Sequence, residues 1–207
     1  MCILLINNLQ KESNEVKTMK VTIFGKGNMG QAIGKNFELA GNQVEYFGSG
    51  DKAENLGDLV IMAVPFSALE SIANQYKDEL KGKIVIDISN PLNFDTWDEL
   101  VVPADSSAAQ LLQSWLPDSK VVKGFNTTFA ATLQSGKIGD LPTTVLLASD
   151  DQEAKGTIKG ALAGSPLRVF DAGALKRARE LEATGFLQMT LAASEQIGWT
   201  GGFGIVE

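Results

Sequence analysis

The residues best placed to do chemistry in this chain are glycines. Gly25, Gly27 and Gly30 stand at the spacing G-x-G-x-x-G inside VTIFGKGNMGQAIGKNF, after an apolar run and before hydrophobic residues at helical spacing. In a strand-loop-helix setting each has a task in holding a dinucleotide. Gly25 permits the tight turn, Gly27 lets the backbone approach a pyrophosphate, and Gly30 lets the helix lie close against the strand. Backbone N–H groups at the helix start, near Asn28 and Met29, would hold the phosphates. A glycine turn used only for packing is the alternative.

Which dinucleotide binds is decided at the end of the second strand, in EYFGSGDK. NAD sites place an acidic residue there, about 20 residues past the glycines, to take the ribose hydroxyls. Glu45 falls inside the strand and Asp51 a few positions late. Ser49 and Lys52 offer a hydroxyl and a charge to a 2′-phosphate, which favours NADP and leaves NAD through Asp51 as the alternative. Further along, Ala63-Val64-Pro65 has the form of a lip for the nicotinamide ribose, and Pro65 also suits the first turn of a helix. Asn90-Pro91 and Asn126-Thr127-Thr128 put amides and hydroxyls at strand ends, where they could bind a carboxamide or a second substrate, or simply cap turns.

Absences narrow the chemistry further. The chain of 207 residues has no histidine and one cysteine, Cys2. That excludes a Ser-His-Asp triad, a Cys-His pair, a disulfide framework and His- or Cys-ligated metal sites, so no metal is expected. Chemistry must come from a bound cofactor, a carboxylate, a lysine or a hydroxyl. A net charge of −7 argues against nucleic acid or an anionic membrane as partner. No apolar run reaches the roughly 20 residues a membrane span needs, and the start of the chain lacks a cationic segment and a cleavage site. A cytoplasmic protein is expected. Residues 1–18 read as a dispensable flexible extension, because Met19 opens a more natural strand.

The elements that must position these residues alternate in kind. Strands are expected at Lys20–Phe24, Gln43–Phe47, Asp58–Val64, Lys83–Ile88, Lys120–Phe125, Thr143–Ala148 and Leu167–Phe170. Helices are expected at Asn28–Ala40, Pro65–Leu80, Ser106–Leu116, Phe129–Ser135 and Asp151–Ala163. Continuous apolar strands between amphipathic helices mean an α/β fold with a mostly parallel, doubly wound sheet, whose ligand crevice lies at the carboxyl ends of the strands. The connection from Phe47 to Asp58 is too short for a helical crossover, so the third strand of the usual order should be missing. One long helix is expected from Ala174 to Ile197, weakened in its middle by Gly185 and packed on the sheet domain or on a second subunit. The expected division is a nucleotide-binding domain over 19–173 and a C-terminal helix and tail over 174–207.

MKVTIFGKGNMGQAIGKNF, DLVIMAVPFSAL, KIVIDISNPLN, KVVKGFNTT and the ending LRVFDAG with RARELE and GGFGI together resemble the coenzyme F420-dependent NADP oxidoreductase family. The likeness runs from Met19 almost to the C-terminus and extends to the NADPH domain of membrane ferric reductases. It implies a Rossmann-like fold, a dimer, and hydride transfer between NADP(H) and a flavin-like or deazaflavin second substrate, a small-molecule electron acceptor. Carried over by motif, Gly25, Lys26, Gly27, Asn28, Met29 and Gly30 hold the pyrophosphate and Ser49 the 2′-phosphate. Ala63, Val64 and Pro65 face the nicotinamide, while Asn126 and Thr127 lie near the reacting rings. No protein acid or base is needed, since the cofactors carry the chemistry.

The chain departs from the family where Gly50 and Asp51 replace the basic residues that follow Ser49, and where Asn126 replaces a ring-facing histidine. Two other functions compete. The opening GKGNMGQAI also resembles pyrroline-5-carboxylate reductases, although only a short C-terminal segment follows Phe170. A non-catalytic NADP-binding redox sensor would likewise need no catalytic side chain.

Overall fold

The computed structural model describes residues 18–206. The expected extension over residues 1–18 therefore lies, apart from residue 18, outside the described residues. Five strands form a parallel core: β1 (Lys20–Phe24), β2 (Gln43–Phe47), β3 (Leu59–Met62), β4 (Ile84–Asp87) and β5 (Lys120–Lys123). The helices between them are α1 (Asn28–Leu39), α2 (Phe66–Gln75) and α3 (Ala108–Trp115). After α4 (Ala130–Ser135) comes a small antiparallel pair, β6 (Lys137–Ile138) and β7 (Leu141–Pro142), then β8 (Thr144–Ala148), α5 (Gln152–Ala161) and β9 (Arg168–Gly173). A 3-10 turn at Leu175–Arg177 leads into α6 (Ala178–Ala193).

The seven-stranded sheet has the order β2-β1-β3-β4-β5-β8-β9. Both faces of its strands are covered. Val21, Ile23, Ile61 and Ile86 pack under α1, α4 and α5, while Val60, Met62 and Val85 pack under α2 and α3. This is the mostly parallel, doubly wound sheet expected from the sequence. One difference is that β8 joins β5 antiparallel and β9 runs parallel to β8, so the last two strands are reversed. The β6-β7 pair was not anticipated, because two-residue strands carry no periodicity.

The missing third strand is borne out. The chain leaves β2 on one side of β1 and enters β3 on the other, through residues 48–58 and without a helix. Buried Thr22 accepts the Gly57 N–H at 2.9 Å, Tyr76 Oη accepts the Ala53 N–H at 3.0 Å, and Lys20 donates to the Asn55 carbonyl at 2.7 Å. At Gly57 a Cβ would stand 2.0 Å from the Lys20 carbonyl oxygen, so the short crossing hugs the edge of β1.

Register brings the strand ends into line. Phe24 pairs with Phe47 and Met62, Met62 with Asp87, and Asp87 with Lys123. The loops beginning at Gly25, Gly48, Ala63, Ile88 and Gly124 therefore leave the sheet along one edge, as the crevice rule requires. Boundaries moved by a few residues, most at the C-terminal ends of helices. The single long helix expected over Ala174–Ile197 is a 3-10 turn followed by α6, which stops at Ala193. Among the described residues no helix is long and apolar enough to cross a membrane.

Candidate functional site

The glycine loop has the backbone its sequence demands. Gly25 sits at φ +119°, and a Cβ there would lie 2.0 Å from the Ala63 carbonyl oxygen. A Cβ on Gly30 would lie 2.2 Å from the Gly25 carbonyl oxygen. These two glycines thus serve close approach between loop, helix and β3. Gly27 differs, for a Cβ there meets nothing within 4 Å. It is also the N-cap residue of α1, and no side chain caps that end. The first N–H groups of the helix, from Asn28 and Met29 onward, lack intrahelical partners and face open space with the positive end of the helix dipole behind them. Lys26 flanks the same opening.

At the end of β2 the structure changes the sequence reading. Residues 48–51 form a turn in which Asp51 N–H donates to the Gly48 carbonyl at 3.2 Å and Gly50 takes φ +90°. The turn carries Asp51 back to the strand end, so its late position in the sequence does not place it far from the site. Its Oδ2 accepts the Gly48 N–H at 2.7 Å and pairs with Lys26 Nζ at 2.7 Å. Hydrogen bonding to Lys26, reinforced by Gly48, holds the Asp51 carboxyl below its usual pKa, so it is ionised at neutral pH. Ser49 is exposed at the tip of the turn, and Lys52 projects outward with its ammonium 3.5 Å from Glu54.

Beyond the glycines opens a cavity of about 690 Å³. Asn28, Met29, Ala63, Val64, Pro65, Asn90 and Asn126 line it together, which brings seven of the sequence-identified residues to one place. Pro65 is the N-cap of α2 rather than its first residue. Thr127 is buried and is not part of the wall; Thr128 is. The wall also includes Phe66, Ile88, Ser89, Phe94, Phe129, Ala130, Ala131, Met189 and Trp199, and among the described residues it holds no ionisable side chain. Its size suits a ligand of cofactor fragment or drug scale.

Sequence reasoning missed the aromatic part of this wall. Trp199 comes from the tail after α6 and packs on Phe129 with ring centroids 5.0 Å apart, while Phe94 sits edge-on to Trp97 at 5.6 Å. Both Phe94 and Trp199 are at least half exposed, an unusual state for such large apolar rings. The one signal in the sequence was aromatics in glycine- and polar-rich segments, NFDTW and WTGGF, where core packing does not require them.

A buried polar network fixes the floor. Asn90 Nδ2 donates to the Asn126 carbonyl at 2.9 Å, and Asn126 Nδ2 donates to Asn90 Oδ1 at 2.9 Å and to the Leu181 carbonyl at 2.8 Å. Gly185 of α6 lies directly against this pair, since a Cβ there would stand 2.4 Å from Asn90 Oδ1 and 2.8 Å from the Asn126 carbonyl oxygen. The glycine read as a helix weakness is what lets α6 touch the strand ends. Gly185→Ala is expected to cost about 2–3 kcal/mol, measured by chemical denaturation.

Behind the asparagines lies a fully buried ion cluster. Lys123 Nζ pairs with Asp87 Oδ2 at 2.8 Å and Glu182 Oε1 at 2.9 Å, and also donates to the Ser89 carbonyl. Asp87 Oδ1 accepts the Ser89 N–H at 2.8 Å, so both polar groups of the Ser89 backbone are held. Glu182 receives the Ala108 N–H at 2.9 Å and the Ala109 N–H at 3.3 Å, at the N-terminus of α3. The cluster ties β4, β5, α3 and α6 together beneath the cavity.

A doubly wound sheet with a glycine-loop helix at its carboxyl edge defines a Rossmann-type fold. Comparison with known proteins makes the relationship more particular. The family model described as NADP oxidoreductase, coenzyme F420-dependent, matches residues 47–91. The F420-dependent NADP reductase of Methanocaldococcus jannaschii is 35% identical over 131 residues, covering 61% of this chain and 58% of that protein. Metalloreductase STEAP3 of Rattus norvegicus is 34% identical over 136 residues, covering 64% of this chain and 26% of that protein. The chain thus spans little more than half of one relative and about a quarter of the other. A crystal structure from Arthrobacter sp. FB24, of a proposed F420-dependent NADP-reductase, superposes with a TM-score of 0.77 at 24% identity, covering 91% of this chain and all of that one. The resemblance to the F420-dependent NADP oxidoreductases read from the sequence is borne out.

Proposed function

We propose that the chain is an NADP(H)-dependent oxidoreductase that passes a hydride between NADP(H) and a flavin-like or deazaflavin acceptor. The observation that carries this reading is the cavity wall: the phosphate-ready helix end opens into a space of about 690 Å³ with no ionisable side chain on it among the described residues. A reduced nicotinamide supplies the hydride itself and the proton that completes the reduced acceptor comes from solvent, so the protein needs no acid or base there. The residues present fit such a ligand, because the space beyond Gly27 is open and the α1 N–H groups are free of side-chain caps. Gly27, Asn28 and Met29 bind the pyrophosphate. Ala63, Val64 and Pro65 place the nicotinamide side. Asn90 and Asn126, locked to each other, keep the floor rigid, and Phe66, Phe129 and Trp199 offer apolar surface for a ring to pack on. Rigid placement of two reactants against each other is the main catalytic task here.

An imine reductase is the second reading, since an imine takes its hydride from the same nicotinamide and, like a flavin or deazaflavin, draws the accompanying proton from solvent. The test is to offer the purified protein NADPH with deazaflavin F420, FMN, FAD, a quinone and a ferric chelate, and to follow absorbance at the nicotinamide band. Turnover is expected with a tricyclic acceptor. Tight NADPH binding with no turnover on any acceptor would instead identify a redox sensor. The reading includes a homodimer, which light scattering on the purified protein checks.

A further inference from the structure

We propose that Asp51 sets the choice of coenzyme, by competing with the 2′-phosphate of NADP(H) for Lys26. This rests on the dinucleotide reading above and deepens it. Three groups meet at the carboxyl end of β2: a fixed N–H from Gly48, the Lys26 ammonium and the Asp51 carboxylate, with both donor contacts at 2.7 Å to the same oxygen. This is the position where a dinucleotide fold meets the adenosine ribose. A carboxylate there accepts hydrogen bonds from the 2′- and 3′-hydroxyls of NAD(H). A 2′-phosphate brings close to two negative charges to the same spot. It is repelled by Asp51 and finds its nearest neutralising groups already engaged.

The lysine that answers the phosphate is then Lys26, not Lys52. Lys52 is 82% exposed and turned toward Glu54, whereas the Lys26 chain lies across Gly48, its Cδ 3.3 Å from where a Cβ would stand. Lys26 sits between two glycines of the phosphate loop, so it can leave Asp51 for the phosphate without moving its backbone. Asp51 then loses one partner and keeps the Gly48 N–H. NADP(H) is bound at the cost of breaking an ion pair that NAD(H) leaves intact. The two coenzymes are therefore discriminated weakly in the unaltered protein.

Titration of the full chain with NADPH and with NADH, followed by nicotinamide fluorescence, tests this. Asp51→Asn keeps an acceptor for Gly48 and so keeps the turn, while freeing Lys26. It is expected to tighten NADPH about tenfold and to leave NADH unchanged or weaker. Lys26→Met is expected to weaken NADPH about tenfold more than it weakens NADH. Thermal unfolding of both variants should match that of the parent, since the pair is exposed. If the parent binds both coenzymes and Asp51→Asn leaves the ratio of their Kd values unmoved, the role given to Asp51 is wrong while the glycine-loop site stands. If neither coenzyme binds any of the three proteins, the site itself is wrong and this inference falls with it.

Discussion

Gly27→Val is expected to abolish binding of NADPH and NADH, with Kd raised at least about a hundredfold, in a protein that still folds. The structure separates the three glycines of the loop by what each would strike. At Gly27 the backbone is φ −75° and ψ −178°, which any residue adopts, and an added side chain enters space that no protein atom occupies. That space is where a pyrophosphate would meet the helix N–H groups. Valine is a poorer N-cap than glycine, a loss of about 1 kcal/mol, or a few degrees in Tm for a chain of this length. Gly25→Ala makes the contrasting control, because its Cβ would stand 2.0 Å from a backbone oxygen at φ +119°. It is expected to cost on the order of 3–5 kcal/mol. Circular dichroism melts beside fluorescence titration distinguish the two outcomes. Retained NADPH affinity in Gly27→Val would remove the pyrophosphate from this loop.

The fold was legible because its signals are local and repeated. LVIM of β3 and IVI of β4 are continuous apolar runs, α1 begins at the glycine loop, and the segment from Phe47 to Asp58 is too short for a helix. Those facts alone yield a doubly wound sheet lacking its third strand. The reversal of β8 was not legible, since periodicity says nothing of strand direction. At the site, the glycine loop, Val64 and Pro65 were legible as motifs tied to consecutive elements. Asp51 was read as too late by counting residues past the end of β2, where a turn folds the chain back on Gly48. Phe94, Trp199 and Met189 were missed because they come from loops and a C-terminal segment with no motif, and only tertiary packing brings them to the same cavity as Pro65. The same holds for Gly185, which breaks a local helix rule for a tertiary reason: Asn90 and Asn126 lie beneath it. Glu182 had the identical difficulty. In RARELE it reads as one more charge on a helix, yet it is fully buried.

Lys123→Met is expected to destabilise the protein by about 3–5 kcal/mol, the largest stability loss predicted outside the glycine loop. Lys123 lies between Asp87 and Glu182, with all three side chains sealed from solvent. Methionine matches the aliphatic length of lysine, so packing is kept and the effect is electrostatic. Two carboxylates then share a dry site with no cation, and the Ser89 carbonyl loses its donor. Burial already pushes the Glu182 carboxyl above its usual pKa, with Asp87 adding to the rise and Lys123 opposing it. Loss of Lys123 removes the opposing cation and leaves burial and Asp87. A carboxyl whose folded pKa lies above its unfolded one stabilises the fold at low pH, and that contribution is lost as pH rises through the folded pKa. The deficit of Lys123→Met should therefore shrink on acidification below neutral pH and grow above it. Glu182→Gln gives the opposite charge change. It leaves Lys123 paired one-to-one with Asp87 and an amide oxygen to receive the α3 N–H groups, so it is expected to cost no more than about 2 kcal/mol. Urea unfolding of both variants across the acidic to neutral range reads the difference. Equal losses, flat with pH, would mean that the three residues act by packing rather than by charge. A steep, opposite-signed pair would show that a net negative cluster, held by one lysine, fastens α6 to the floor of the cavity.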